Sequence, residues 1–172
     1  MIINIYGPSG SGKNVFVKSL FEKKDFNNKI AKDLNYNLIS IDQNFYENSS
    51  VSLLPINDFQ GPVSEYLCLY GLTNINLNEE TFKSLFPNIE PEKFLIKSFN
   101  FLSMGERRRL DLWRSYLQNK KINFIDEPFA NSDNNYDHTI LSLLKKFHLV
   151  IILNHSKLEN SEIKNIKIKD LV

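Results

Sequence analysis

Gly7-Pro8-Ser9-Gly10-Ser11-Gly12-Lys13-Asn14 is the stretch whose residue types and spacing specify chemistry most directly. An apolar run (Ile2, Ile3, Ile5) precedes it and ends at Tyr6; Val15, Val17, Leu20 and Phe21 follow at helical spacing. Strand, glycine-rich loop, lysine and helix form the layout of a phosphate-binding loop. Glycines let backbone N–H groups curl around an anion, and the helix N-terminus adds partial positive charge. Lys13 is then placed to reach β- and γ-phosphates as a point charge. The competing reading is a plain Gly/Ser turn, and the flanking strand and helix with lysine in register weigh against it. Position 14 is Asn where a hydroxyl residue usually binds Mg²⁺. An amide oxygen is also a hard donor, so Asn14 stays a candidate metal ligand.

A second group of chemical residues lies far along the chain. Ile122–Ile125 is an apolar strand leading into Asp126-Glu127-Pro128. Carboxylates at the C-terminal end of such a strand suit metal-linked phosphate chemistry, because open α/β sheets bind ligands there. Asp126 is the expected Mg²⁺ holder, through water, and Glu127 the expected group that polarises an attacking water. Leu149–Leu153 reads as another buried strand, with Asn154-His155 just past its end. That places His155 on the same rim, within reach of a γ-phosphate. His138 and His148 have no such placement and receive no role.

These residues need elements to hold them. Val15–Lys24 reads as a helix, Asp25–Asn37 as irregular chain, and Asn37–Asp42 as a strand ending at Gln43. Asn44–Pro62 reads as loop and turn. Val63–Tyr70, Glu79–Phe86 and Pro91–Phe99 read as short helices, a candidate helical lobe. Ser103 and Gly105 head a helix running through Arg107–Leu117, with Leu110, Trp113 and Leu117 on its inner face. Arg107, Arg108 and Arg109 point in different directions on a helix, which favours a solvated face with one or two structural pairings over a nucleic-acid patch. Asp137–Phe147 reads as a helix. The alternation of Ile163, Ile166 and Ile168 reads as an added edge strand.

Composition sets the outer bounds. The 172 residues are the size of one domain with room for an inserted lobe, and 42% apolar with 24% charged residues is ordinary for a globular chain. A net charge of +1 gives no general attraction to nucleic acid or acidic membranes. The lone Cys68 rules out an internal disulfide, fits a reducing compartment, and is expected as a buried structural thiol. No apolar run approaches the roughly 20 residues of a membrane span. Because the phosphate loop already fills the N-terminus, a signal peptide is not expected there, and a cytoplasmic chain is.

With these residues in place, the chain resembles the nucleotide-binding domain of ATP-binding-cassette (ABC) proteins over nearly its whole length. Gly7–Asn14 resembles the Walker A loop. Leu102-Ser103-Met104-Gly105-Glu106 resembles the signature motif, with Met where Gly is usual. Ile122–Glu127 is similar to Walker B plus the catalytic glutamate, Pro128–Asp133 to the D-loop, and His155 to the switch histidine. Gln43 resembles the Q-loop glutamine, with Gln60 as the second candidate.

The resemblance implies an α/β fold: a P-loop NTPase core with a mostly parallel sheet, an ABC-type helical lobe and a trimmed antiparallel β-lobe. It implies one ABC ATPase domain over residues 1–172, with its core in 1–43 and 111–172 and the lobe at about 44–110. Mg-ATP would be cradled by Gly7, Ser9, Gly10, Ser11, Gly12 and Lys13. Metal binding would fall to Asn14, Gln43 and Asp126, and catalysis to Lys13, Glu127 and His155. Ser103, Gly105, Glu106 and Asp133 would contact nucleotide across a head-to-tail dimer, expected as a homodimer. The strands and adenine-stacking aromatic that usually precede Walker A have no counterpart in this sequence, and Tyr6 lies too near the loop to replace the aromatic.

Three functions follow from the resemblance. The first is the ATPase subunit of a transporter, peripheral at the inner face of the membrane through a separate transmembrane permease subunit, without nucleic acid. The second is a non-transport cassette protein. Only about ninety residues without heptads separate Asn14 from Ser103, against the long coiled coil of DNA-maintenance members. The third is a nucleotide-dependent regulatory switch with weak or no hydrolysis, motivated by Asn14 and Met104 and opposed by the presence of Glu127 and His155.

Overall fold

A computed structural model describes residues 1–21, 48–52, 59–73, 75, 80–130 and 134–171. The chain divides into two compact units. The first comprises Met1–Leu53, Lys120–Glu127 and Phe147–Val172. It is built on strands β1 (Ile2–Tyr6), β2 (Ser49–Ser52), β3 (Ile122–Asp126), β4 (Leu149–Asn154) and β5 (Ile163–Lys167). They form a five-stranded sheet in the order β2-β3-β4-β1-β5, every neighbouring pair parallel.

The sequence explains this order. Leu149–Leu153 of β4 is buried at every position, as a central strand covered on both faces requires. In β1, Ile3 and Ile5 turn to one face and pack with Phe16 and Val17 of helix α1 (Lys13–Phe21), together with Phe124, Ile151 and Leu153. Tyr6 pairs with Asn154, and Asp126 with Leu153. The C-terminal ends of β1, β3 and β4 therefore lie on one rim.

Two local readings change. Asn44–Pro62 contains a strand, β2, although Ser-Ser-Val-Ser lacks apolar alternation. Pairing with β3 and a hydrogen bond from Ser50 Oγ to Asn123 Oδ1 supply what local propensity does not. The expected edge strand in the tail forms as β5, but Ile168 falls just beyond it, in a 3₁₀ turn at Ile168–Asp170. A Cβ on Gly7 would lie 2.5 Å from Ile168 Cγ2, so only glycine permits this approach at the end of β1. The expected strand Asn37–Asp42 and the trimmed β-lobe lie outside the described residues.

The second unit comprises Leu54–Asn119 and Pro128–Lys146. It holds helices α2 (Val63–Cys68), α3 (Glu80–Leu85), α4 (Pro91–Ile96), α5 (Met104–Leu117) and α6 (Asn134–Leu144). Trp113 of α5 is fully buried, its ring 5.0 Å from Phe82, and Phe86 lies 4.5 Å from Phe94. This aromatic cluster is the centre of the unit. Arg114 is buried too, paired with Asp111 at 3.2 Å and lying 4.0 Å over the Tyr70 ring. Tyr66 donates its hydroxyl to Asp111, and burial, followed by that carboxylate, pushes the phenol far above its ordinary range.

The arginine run behaves as a structural face. Arg107 donates to Leu102 O and Asn100 O, while Arg109 lies over the rings of Phe86 and Tyr136. Helix α4 stops at Ile96, short of the expected Phe99, because Lys97 is extended and Ser98 bridges Pro62. Helix α6 runs three residues earlier than expected, since Phe147 is buried in the first unit. Cys68 is exposed, which overturns the expectation of a buried thiol. Val63, Tyr66 and Leu67 define the inner face of α2, and Cys68 lies a further 100° round the helix from Leu67.

Candidate active site

The loop after β1 has the shape its glycines allow. Gly10 and Gly12 adopt φ values of +74° and +89°, and a Cβ at either would meet nothing within 4 Å. The loop thus opens a cradle that side chains would strain and fill. Helix α1 begins at Lys13, and Phe16 N–H donates to Gly12 O at 2.8 Å. First-turn N–H groups have no partner within a helix, so they are aimed at whatever sits in the cradle. Lys13 is 7% exposed and bends back over the loop, donating to Gly7 O at 2.6 Å and Pro8 O at 3.1 Å. Backbone carbonyls hold the amine within the loop.

Glu127 follows β3 with φ +45°, a left-handed conformation rare outside glycine. Its N–H donates to Leu153 O at 2.9 Å, tying the turn to the next strand. Its carboxylate contacts His155 Nε2. Strained non-glycine backbone concentrates at functional sites, where surrounding structure enforces it.

Ser9–Val15, Asp126, Glu127 and His155 line one cleft of about 240 Å³, all within the first unit. That volume lies below the roughly 300–1,000 Å³ of pockets enclosing a whole drug-sized ligand. It suits the phosphate end of a nucleotide. Val15, which the sequence marks only as part of a helical pattern, is 68% exposed and lines the cleft. Its position in the first turn of α1 was the available signal.

The donor set fits Mg²⁺. Asn14 and Asp126 both line this cleft and both carry side-chain oxygens, and among the described residues no three His, Cys, Asp or Glu side chains gather into a metal cage. Mg²⁺ characteristically takes one or two protein oxygens and fills its shell with water and substrate phosphate. Gln43 and Asp133 lie outside the described residues.

Ser103, Gly105 and Glu106 stand at the head of α5 in the second unit. Ser103 caps the helix, its Oγ accepting from Glu106 N–H at 3.1 Å. Glu106 returns the bond, accepting from Ser103 N–H at 2.7 Å, and pairs with Lys97 at 3.3 Å. Burial raises the Glu106 pKa, but the Ser103 N–H and Lys97 outweigh it and hold the carboxyl below its ordinary value. This capping box starts the helix at Met104, with Ser103 and Gly105 at its head as read from the sequence. Gln60 accepts a bond from Ser98 Oγ through its backbone carbonyl and lies in the second unit.

A phosphate cradle at the end of β1, with acidic residues at the end of β3 and a histidine just past β4 between them, defines a P-loop nucleotide-hydrolysing class. The sequence profile of the ABC transporter family matches residues 1–130. The chain belongs to that family, and its domain is an ABC-type ATPase. The cell division ATP-binding protein FtsE of Streptococcus pneumoniae is 27% identical over 94% of this chain and 74% of its own length. The lipoprotein-releasing system ATP-binding protein LolD of Wigglesworthia glossinidia brevipalpis is 29% identical over 98% of this chain and 80% of its own. Among solved structures, an ABC transporter ATP-binding protein from Pyrococcus furiosus superposes with a TM-score of 0.68 at 22% identity, covering 98% of this chain and 84% of that one. At that identity the superposition speaks for the fold.

Proposed function

We propose that this chain is the ATP-hydrolysing subunit of a transporter, working as a head-to-tail dimer on a separate membrane subunit. The observation that carries the reading is the single cleft joining Gly10–Asn14 to Asp126, Glu127 and His155. ATP binds with its phosphates against the loop N–H groups and Lys13, whose charge offsets that of the β- and γ-phosphates. Asn14 and Asp126, with Gln43, hold Mg²⁺, which supplies charge neutralisation at the phosphate oxygens when bound. Glu127 orients and polarises the attacking water. His155 contacts the γ-phosphate while its Nε2 steadies Glu127. The turn at φ +45° and the contact with His155 set the direction of Glu127.

The dimer supplies the other face of the nucleotide. Ser103 and Met104 are exposed at the start of α5, and this N-terminus offers a second set of anion-directed dipoles. Ser103, Gly105, Glu106 and Asp133 act there in trans. Closing on ATP and opening after hydrolysis is the stroke passed to the membrane partner. Among the described residues no helix is long and apolar enough to cross a membrane, so a membrane role runs through that partner at the inner face.

The test is Lys13→Ala. Removing the buried amine is expected to lower Mg-ATP turnover by about 100-fold or more, the usual scale for one preorganised charge donor. Unaltered turnover in this variant would remove the loop from the site.

A further inference from the structure

Asn4 stands between Ile3 and Ile5 in β1 and is fully buried. A buried amide is costly unless its groups are paired, so its presence in an isoleucine strand needs a reason. Its Nδ2 donates to Ser156 O at 3.1 Å and to Asn165 Oδ1 at 2.7 Å. Asn165 is the register partner of Asn4 across the β1–β5 pair, so the two amides meet on one face of the sheet. Asn165 then treats Leu158 as a strand neighbour would. Its Oδ1 accepts from Leu158 N–H at 3.0 Å, and its Nδ2 donates to Leu158 O at 3.0 Å.

Ser156 directly follows His155, and Leu158 comes two residues later. On the preceding side, His155 N–H donates to Asn154 Oδ1 at 3.1 Å, at the end of β4. The backbone carrying His155 is therefore tied to the sheet before and after it. The imidazole itself is 52% exposed. Packing restrains only half of it, so its aim at Glu127 depends on where that backbone is held.

We propose that Asn4 and Asn165 are positioning residues for ATP hydrolysis: an amide pair across β1 and β5, buried at Asn4, that fixes the His155 loop against Glu127. This rests on the reading of His155 as a working group of the site. The two asparagines touch neither nucleotide nor water in this role and act only through His155.

The experiment is a cycle of Asn165→Ala, His155→Ala and the double variant in the full chain. Each is read by Mg-ATP turnover and by titration with a fluorescent ATP analogue. Asn165→Ala is expected to lower kcat about tenfold with KM and analogue affinity within roughly twofold, a loss confined to the transition state. In the His155→Ala background the same substitution is expected to cost nothing further. Losses that multiply in the double variant, or an Asn165→Ala enzyme with wild-type kcat, overturn the proposal. Wild-type turnover in His155→Ala overturns the site reading beneath it, a result separable from the other two. Hydrogen exchange distinguishes local release from unfolding: Leu158 N–H exchanges faster in Asn165→Ala while Ile151 N–H does not. Equal acceleration at both contradicts a positioning role. Should Asn165→Ala not fold, Asn4→Ala gives the turnover cycle instead, since it frees Ser156 O from the sheet while both Leu158 bonds to Asn165 stand.

Discussion

At the residue scale, a few side chains at or just past strand ends line the cleft. Asn14 is the one that departs from the usual hydroxyl. If its amide oxygen serves only as a hard donor to Mg²⁺, Asn14→Ser preserves or raises ATP turnover, measured at saturating Mg²⁺. A large loss would make the amide a specific requirement of this site. Lys13, Asp126 and Glu127 were legible in the sequence because each belongs to a short local pattern: glycines beside a lysine, or an apolar strand ending in acids. Asn4 and Asn165 were not. They lie 161 positions apart, and only the parallel register of β1 with β5 brings their amides together. The exposure of Val15 was hidden for a different reason. Helical spacing gives the face of a residue, not whether that face is covered in the first turn.

At the scale of elements, the capping box on α5 makes a pH prediction. The folded state holds the Glu106 carboxyl below its ordinary value, chiefly through the Ser103 N–H and Lys97, which overcome the opposing effect of burial. A depressed pKa means the unfolded chain binds the proton more readily. The stabilisation is therefore fully present above the ordinary carboxylate range and is lost as pH falls through the lowered folded value. Glu106→Gln keeps a side chain able to cap but has no charge to titrate. Thermal unfolding of this variant is expected to show a shallower decline toward acid pH than the wild type; parallel curves would contradict the pairing. Capping chemistry of this kind was legible as Ser103 followed by Glu106, at the helix head that Ser103 and Gly105 marked in the sequence. Strand β2 was hidden, because its stability comes from Asn123 and β3 rather than from Ser-Ser-Val-Ser itself.

At the scale of the whole molecule, the parallel order β2-β3-β4-β1-β5 turns three strand ends to one rim, and this assembles the cleft. The fold class was readable from strand–loop–helix patterning and from the buried run at Leu149–Leu153, since both signals are continuous in sequence. The order of strands was not, because it is fixed by long-range pairing such as Ile2 with Val150. The proposed dimer adds the one feature that a single chain leaves half built, a second helix start facing the phosphates. The most direct test is steady-state Mg-ATP turnover across a range of protein concentrations, with Glu127→Gln as control. The account predicts turnover that rises more steeply than in proportion to protein and falls by about 100-fold or more in the control. Equal turnover in the two proteins, or none in the wild type, would contradict a self-sufficient ATPase built on Glu127.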